Sequence, residues 1–187
     1  MRYLEYVDKV MEELKNVLSD VKEEEIENFI EEILKAKKIQ VFGMGRVGFS
    51  MRAFAMRLMH LGFSTTFVYE TTTPNIGEGD LLIEGCACTA ICREVIRLAK
   101  KAKAKVAVIT AHPESEIAKM ADSTIRLRGQ VLEGGEDEIP SIQPMATLFE
   151  QSLFIFLDLV VLLLMERTGQ NSSDMAKRHT NLDGYMG

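Results

Sequence analysis

Basic residues are in short supply in this chain: 22 Lys and Arg stand against 28 Asp and Glu, for a net charge of −6. A protein that grips nucleic acid through phosphate contacts needs a basic footprint, so that class of partner is not expected. Apolar runs of membrane-spanning length are also missing. The longest, from Leu153 to Met165, carries Asp158 inside it and falls short of the roughly 20 residues a bilayer requires. The first residues, MRYLEYVDKVMEELKNVL, hold acids throughout and no apolar signal region, so a cytoplasmic protein with no membrane partner is expected. No stretch rich in Pro, Gly and Ser divides the 187 residues. The expectation is therefore one domain, with helices over 1–38 packing on the same domain as residues 39–187. Cysteine is confined to Cys86, Cys88 and Cys92. That usage excludes a disulfide framework and suits reduced thiols or a metal.

The stretch that organises the rest is Ile39 to Gly62, IQVFGMGRVGFSMRAFAMRLMHLG. Ile39, Val41 and Phe42 predict a short interior strand stopped by Gly43, and Met44, Met51, Ala55, Leu58 and Met59 then recur at helical spacing. A strand feeding a helix through glycines aims unpaired N–H groups at whatever lies above the turn, which makes an anion site. Before it, Leu4, Val7, Val10, Met11, Leu14, Val17 and Leu18, then Ile26, Phe29, Ile30, Ile33 and Leu34, predict two amphipathic helices separated at Ser19 and Asp20.

After it the chain alternates. Strands are expected at 65–69, 81–83, 106–110 and 123–127, with helices from about Ile91 to Lys101 and over 116–120, a polar loop over 130–141, and an apolar helix from about Met145 to Arg167 stopped by Gly169. Alternation of this kind implies parallel pairing with helices on both faces of the sheet. The fold expected is a single three-layer α/β/α domain with a five-stranded parallel sheet. Its site should lie at the carboxyl ends of the strands, near 43–48, 70 and 86–91.

Gly43-x-Gly45-x-x-Gly48 matches the dinucleotide fingerprint, with Glu70 about where a ribose-binding acid belongs. The same turn serves any phosphate above a helix N-terminus, or only the geometry of the turn itself. Cys86-x-Cys88-x3-Cys92 at a helix start suggests depressed thiolate pKa values and a soft-metal site with a ligand from elsewhere. Glu150 lies among Leu148, Phe149, Leu153 and Phe154, where partial desolvation is expected to raise its carboxyl pKa toward a working value. As an acid in a first helical turn it is also favoured by the helix dipole alone. His60 is expected to pack at a helix end, and His112 to belong to a turn.

The strings Phe54-Ala-Met-Arg-Leu-Met-His-Leu-Gly62, Tyr69-Glu-Thr-Thr-Thr-Pro74, Gln143-Pro-Met145 with Leu148-Phe-Glu-Gln151, and Arg178-His-Thr-Asn-Leu182 strongly resemble the 6-phospho-3-hexuloisomerases of the sugar isomerase (SIS) family. The resemblance runs from about Ile39 to Leu182. It implies a flavodoxin-like sheet, a homotetramer, and interconversion of 3-hexulose 6-phosphate and fructose 6-phosphate without metal, nicotinamide or other cofactor. It also implies Glu150 as catalytic base, His179 in ring opening or proton shuttling, and Glu70 lining the same cleft. The sugar phosphate would be held by Gly45, Arg46, Val47 and Gly48 and by Cys86, Ala87, Cys88, Thr89, Ala90 and Ile91. Two departures stand out. Val47 replaces a serine, and Cys86-Ala-Cys-Thr-Ala-Ile91 replaces Ser-Gly-Ser-Gly-x-Thr, exchanging hydroxyl donors for thiols, which donate weakly. The alternative is a non-catalytic sugar-phosphate binder, or a metal or thiol protein using Cys86, Cys88 and Cys92.

Overall fold

Apolar stripes turn the first two helices inward. In the computed structural model, which describes residues 2–85, 89–132 and 134–182, α1 (Arg2–Ser19) buries Leu14 and Val17, and α2 (Glu23–Lys35) buries Phe29, Ile30 and Ile33. All five join the core of the sheet domain. Phe29 stacks on Phe54 and Phe156, tying α2 to two further helices. Each such buried side chain contributes about 1.5–3 kcal/mol.

Five strands follow: β1 (Ile39–Gly43), β2 (Thr65–Phe67), β3 (Leu81–Gly85), β4 (Lys105–Thr110) and β5 (Ser123–Arg126). They pair in parallel in the order β2-β1-β3-β4-β5, the flavodoxin-like order of doubly wound folds. Residues of β1 and β3 are buried on both faces, as strands sandwiched between helices require. The helix after β1, α3 (Gly45–His60), packs with α5 (Thr147–Thr168) on one face, whereas α4 (Ala90–Lys101) packs on β3 and β4 from the other.

β5 is an edge strand, and α2 covers it with its acids. The Arg126 N–H donates to Glu25 Oε2 at 2.9 Å, and Ser123 Oγ donates to Glu32 Oε2 at 2.6 Å. Free ladder groups on an edge invite pairing with another chain, so this cover is protective.

Several expected boundaries move. β2 ends at Phe67, because Tyr69 takes a left-handed φ of 71° and turns the chain away from the ladder. The helix expected over 116–120 is a single 3-10 turn, Ala118–Met120, too short to cross a layer. The polar tail contains a further helix, α6 (Ser172–Ala176), started by a capping box of Asn171 and Asp174. α5 is 22 residues long, well beyond the apolar run that marks it, and Gly169 ends it with φ 66°. By length and composition it could cross a bilayer, yet half of its apolar stretch is buried in this domain, with Leu148, Leu153, Val160 and Leu164 in the core.

Where β1, β3 and α3 converge there is no room for side chains. A Cβ on Gly43 would meet Val47 Cγ1 at 2.8 Å, and one on Gly85 would meet the same atom at 2.6 Å. Gly85→Ala therefore overpacks the junction and should destabilise the protein by about 1–3 kcal/mol. Val47→Ala should relieve part of that cost in the double variant. Additive losses in denaturant melts of the two single variants and the double would contradict this packing.

Candidate active site

The sheet order reverses between β1 and β3, and such a switch point is where doubly wound sheets bind ligands, outside the carboxyl ends of the strands. One wall is the turn 43–48. Gly45 adopts φ 55°, and Gly48 passes so close to Gly43 that a Cβ there would lie 2.6 Å from the Gly43 carbonyl oxygen. Val47, expected at the phosphate, turns its side chain into the core and is 3% exposed, so only its backbone faces the crevice side. Met44 as N-cap offers no side-chain bond to the first-turn N–H groups of α3. Those groups keep the positive end of the helix available to an anion.

Arg46 leaves this turn outward, and its Nε lies 2.9 Å from Glu150 Oε2. α5 packs beside α3, and so its first turn carries Glu150 to the glycine turn. The apolar setting expected for Glu150 is corrected here. Leu148, Phe149 and Leu153 point into the core, Phe154 is half exposed, and the neighbour of the carboxylate is a guanidinium. Helical spacing explains the difference, since residues adjacent in sequence diverge by about 100° around the axis.

Glu70 follows β2 at the same end of the sheet. Arg52 Nη2 donates to it at 3.1 Å, and the guanidinium lies 3.5 Å from the centroid of Phe67. The acid is thus held in a half-exposed ion pair on α3. His179 lies elsewhere. Its ring is 5.3 Å from that of His60, at the far end of α3, about 20 Å from Arg46 by helical rise. A groove of about 780 Å³ there is lined by Arg57, His60, Asp158, Leu162, Met165 and His179. Within one chain the structure brings Glu150 to Arg46 and the glycine turn, and does not bring His179 to them.

The second wall begins after β3. Cys86, Ala87 and Cys88 lie outside the described residues. Thr89 is committed to structure: as N-cap of α4 its Oγ1 accepts from the Cys92 N–H at 3.3 Å, and the hydroxyl donates to Cys92 Sγ at 3.0 Å. Ala90 and Ile91 occupy the exposed first turn. The expectation of a depressed thiolate fails at Cys92. Burial, reinforced by the Glu84 carboxylate, pushes its thiol up to about 11, so the sulfur stays protonated and is a poor soft-metal ligand. Among the described residues no three His, Cys, Asp or Glu side chains are grouped to hold a metal.

Glu84 is the residue that sequence reasoning missed. It lies fully buried in β3, level with Phe42 and Val108, beside the N-terminal turn of α4. An acid inside the run Leu81-Leu-Ile-Glu-Gly85 was the available signal. His112, expected in a turn, is there but engaged, with Nε2 2.8 Å from Glu138 Oε1, while Glu138 Oε2 accepts from the Val131 N–H.

A parallel sheet of this order, with uncapped helix N–H groups and a carboxylate at its switch point, defines a doubly wound α/β protein with an anion-ready site. The SIS domain family matches residues 32–133, more than half of the chain, and the chain belongs to that family. A 3-hexulose-6-phosphate isomerase of Bacillus subtilis is 40% identical over 186 residues, covering 98% of this chain and 100% of that protein. One from Methanocaldococcus jannaschii is 41% identical over 159 residues, covering 84% and 83%. A solved structure from Methanococcus jannaschii, from which a 3-hexulose-6-phosphate isomerase function was inferred, superposes with a TM-score of 0.80 at 37% identity, covering 97% and 99%.

The His60 ring gives the far end of α3 a pH signature. Burial, then the positive charge of Arg57 and the neighbouring His179, lower its pKa below the usual 6.5. The unfolded chain then takes up the proton first, so the stabilisation is complete above about pH 6.5 and is lost as pH falls toward the folded value. Thermal melts from about pH 7.5 down to about 5 should fall more steeply for wild type than for His60→Gln. Parallel curves would show that another group carries the dependence.

Proposed function

We propose that this protein is a soluble, cytoplasmic isomerase interconverting 3-hexulose 6-phosphate and fructose 6-phosphate. The observation that carries the reading is the carboxylate of Glu150, set 2.9 Å from Arg46 at the glycine turn of the switch point. The full-length similarity to isomerases of that name supports the substrate. The reaction moves a carbonyl from C3 to C2. A base takes the proton from C2, the electrons form a 2,3-enediol, and the proton returns to C3, so one carboxylate above one face serves both transfers. Glu150 is that base. Arg46 stands where a guanidinium stabilises the charge developing on the enediol oxygens. The phosphate sits over the first turn of α3, with Ala90 and Ile91 at the start of α4 on its other side. Glu70 lines the crevice from β2, its carboxylate held by Arg52.

His179 can join this chemistry only from a neighbouring subunit, because its own Glu150 lies at the other end of α3. Assembly as a homotetramer supplies that neighbour. Tyr3, Leu4, Val7 and Met11 on α1 and Leu159 and Leu162 on α5 expose apolar surface that a partner copy would cover. Light scattering should give four times the 21.0 kDa chain mass. A monomer at micromolar concentration would defeat both the assembly and the role of His179.

Glu150→Gln keeps the size and hydrogen-bonding reach of the side chain and removes its basicity. Turnover of fructose 6-phosphate should fall by about two to four orders of magnitude, as for loss of a general base, while the sugar phosphate still raises the melting temperature. Full activity in Glu150→Gln with loss in Glu70→Gln would move the base to the loop after β2. Stabilisation by NAD and not by fructose 6-phosphate would replace the reading altogether.

A further inference from the structure

The helix that carries the base has no side-chain cap of its own. Its N-cap is Ala146, and Met145 before it takes a left-handed φ of 59°, a strained conformation for a side-chain-bearing residue. The start of α5 therefore depends on how the segment 141–145 is held. Thr147 reaches back to the Pro144 carbonyl with its N–H at 3.3 Å and its hydroxyl at 2.6 Å, so the helix is hooked to this segment directly.

The segment in turn is held largely by one side chain from the other end of the sequence. Glu13 of α1 accepts from Ser141 Oγ at 2.6 Å and from Gln143 Nε2 at 3.3 Å through Oε2, and from the Ile142 N–H at 2.8 Å through Oε1. Ser141 relays the hold, since its Oγ also accepts from the Gln143 N–H at 2.9 Å. The remaining side-chain bond to the segment is from Gln130, whose Oε1 accepts from the Ser141 N–H. Hydrogen bonds to an ionised acceptor are about twice as strong as neutral ones, so Glu13 is the principal anchor. Both α1 and α5 lie outside residues 32–133, so this contact is not part of the matched SIS domain.

We propose that Glu13 is a positioning residue for isomerisation: by clamping 141–143 it sets the first turn of α5 and holds Glu150 in register with Arg46 and the glycine turn. The inference rests on the isomerase reading above. A base displaced by about 1 Å loses up to about 100-fold in rate while substrate binding elsewhere is spared, so the consequence falls on kcat.

Glu13→Ala should lower kcat for fructose 6-phosphate by up to about 100-fold with KM unchanged. Glu13→Gln, which can still accept from the Ile142 N–H through one oxygen but has lost the charge and the second acceptor, should recover only part of the loss, and the neighbouring Glu12→Ala should behave as wild type. Hydrogen exchange should quicken at the amides of 142–150 in Glu13→Ala and stay unchanged in β1. Wild-type kcat in Glu13→Ala, a rise in KM alone, or unaltered exchange would each overturn the proposal. Should Glu13→Ala fail to fold, Ser141→Ala removes the shortest bond from the other side, and an unchanged kcat there would be equally fatal. If wild-type protein does not turn over fructose 6-phosphate, the isomerase reading fails, and the exchange comparison still decides whether Glu13 orders α5.

Discussion

The architecture depends on a steric constraint at one point: the Val47 isopropyl group fits between two strand-end glycines. Gly43 closes β1 and Gly85 closes β3, and neither could carry a Cβ without striking Val47. Because Gly43 and Gly85 lie in register and both abut α3, the switch point of the doubly wound sheet lies directly above them. Met51 Sδ and Leu153 Cδ2 close the same space around Gly85, so α5 is seated by the same contact that seats α3. The position of Glu150 beside Arg46 is thus a packing result before it is a chemical one.

The acids of α2 and of the turn before it fasten the N-terminal helices to this arrangement. Their sequence pattern suggests a solvated face, but Asp20 holds Arg128, Glu25 and Glu32 cover β5, and Glu27 and Glu31 pair with Arg167 near the end of α5. Exposed pairs of this kind contribute little individually. The bonds to backbone N–H groups matter more, because they satisfy groups that no strand or helix partner reaches.

The α/β class and the role of Gly169 were legible because they rest on local periodicity and backbone preference, whereas the strand order was expected only from the family resemblance. The glycine turn was legible for the same reason: Gly43 and Gly48 pass too close for a Cβ, and Gly45 takes a left-handed φ. What the sequence could not convey was the direction of single side chains. Val47 reads as a substitute for a phosphate-binding serine, yet it belongs to the core. Cys92 reads as one of three thiols in a functional loop, yet it is buried beside Glu84 with its thiol pushed up to about 11. His179 reads as a member of the site, and its distance from Glu150 depends on a fold-back of the tail, where Arg178 donates to the His60 carbonyl at 3.0 Å. Such tertiary contacts leave no periodic trace.

The two helix starts at the carboxyl ends of β1 and β3 differ in their electrostatic surroundings. Thr89 spends its hydroxyl on Cys92, and the buried Glu84 carboxylate places negative charge beside the start of α4, so the positive end of that helix is already partly compensated. The turn at α3 carries no such opposing acid within its own strand, and its outward cation is the one that holds Glu150. On the isomerase reading, the guanidinium that holds Glu150 is also the one that faces the charge developing on the enediol oxygens, so base and charge stabiliser are positioned by a single ion pair.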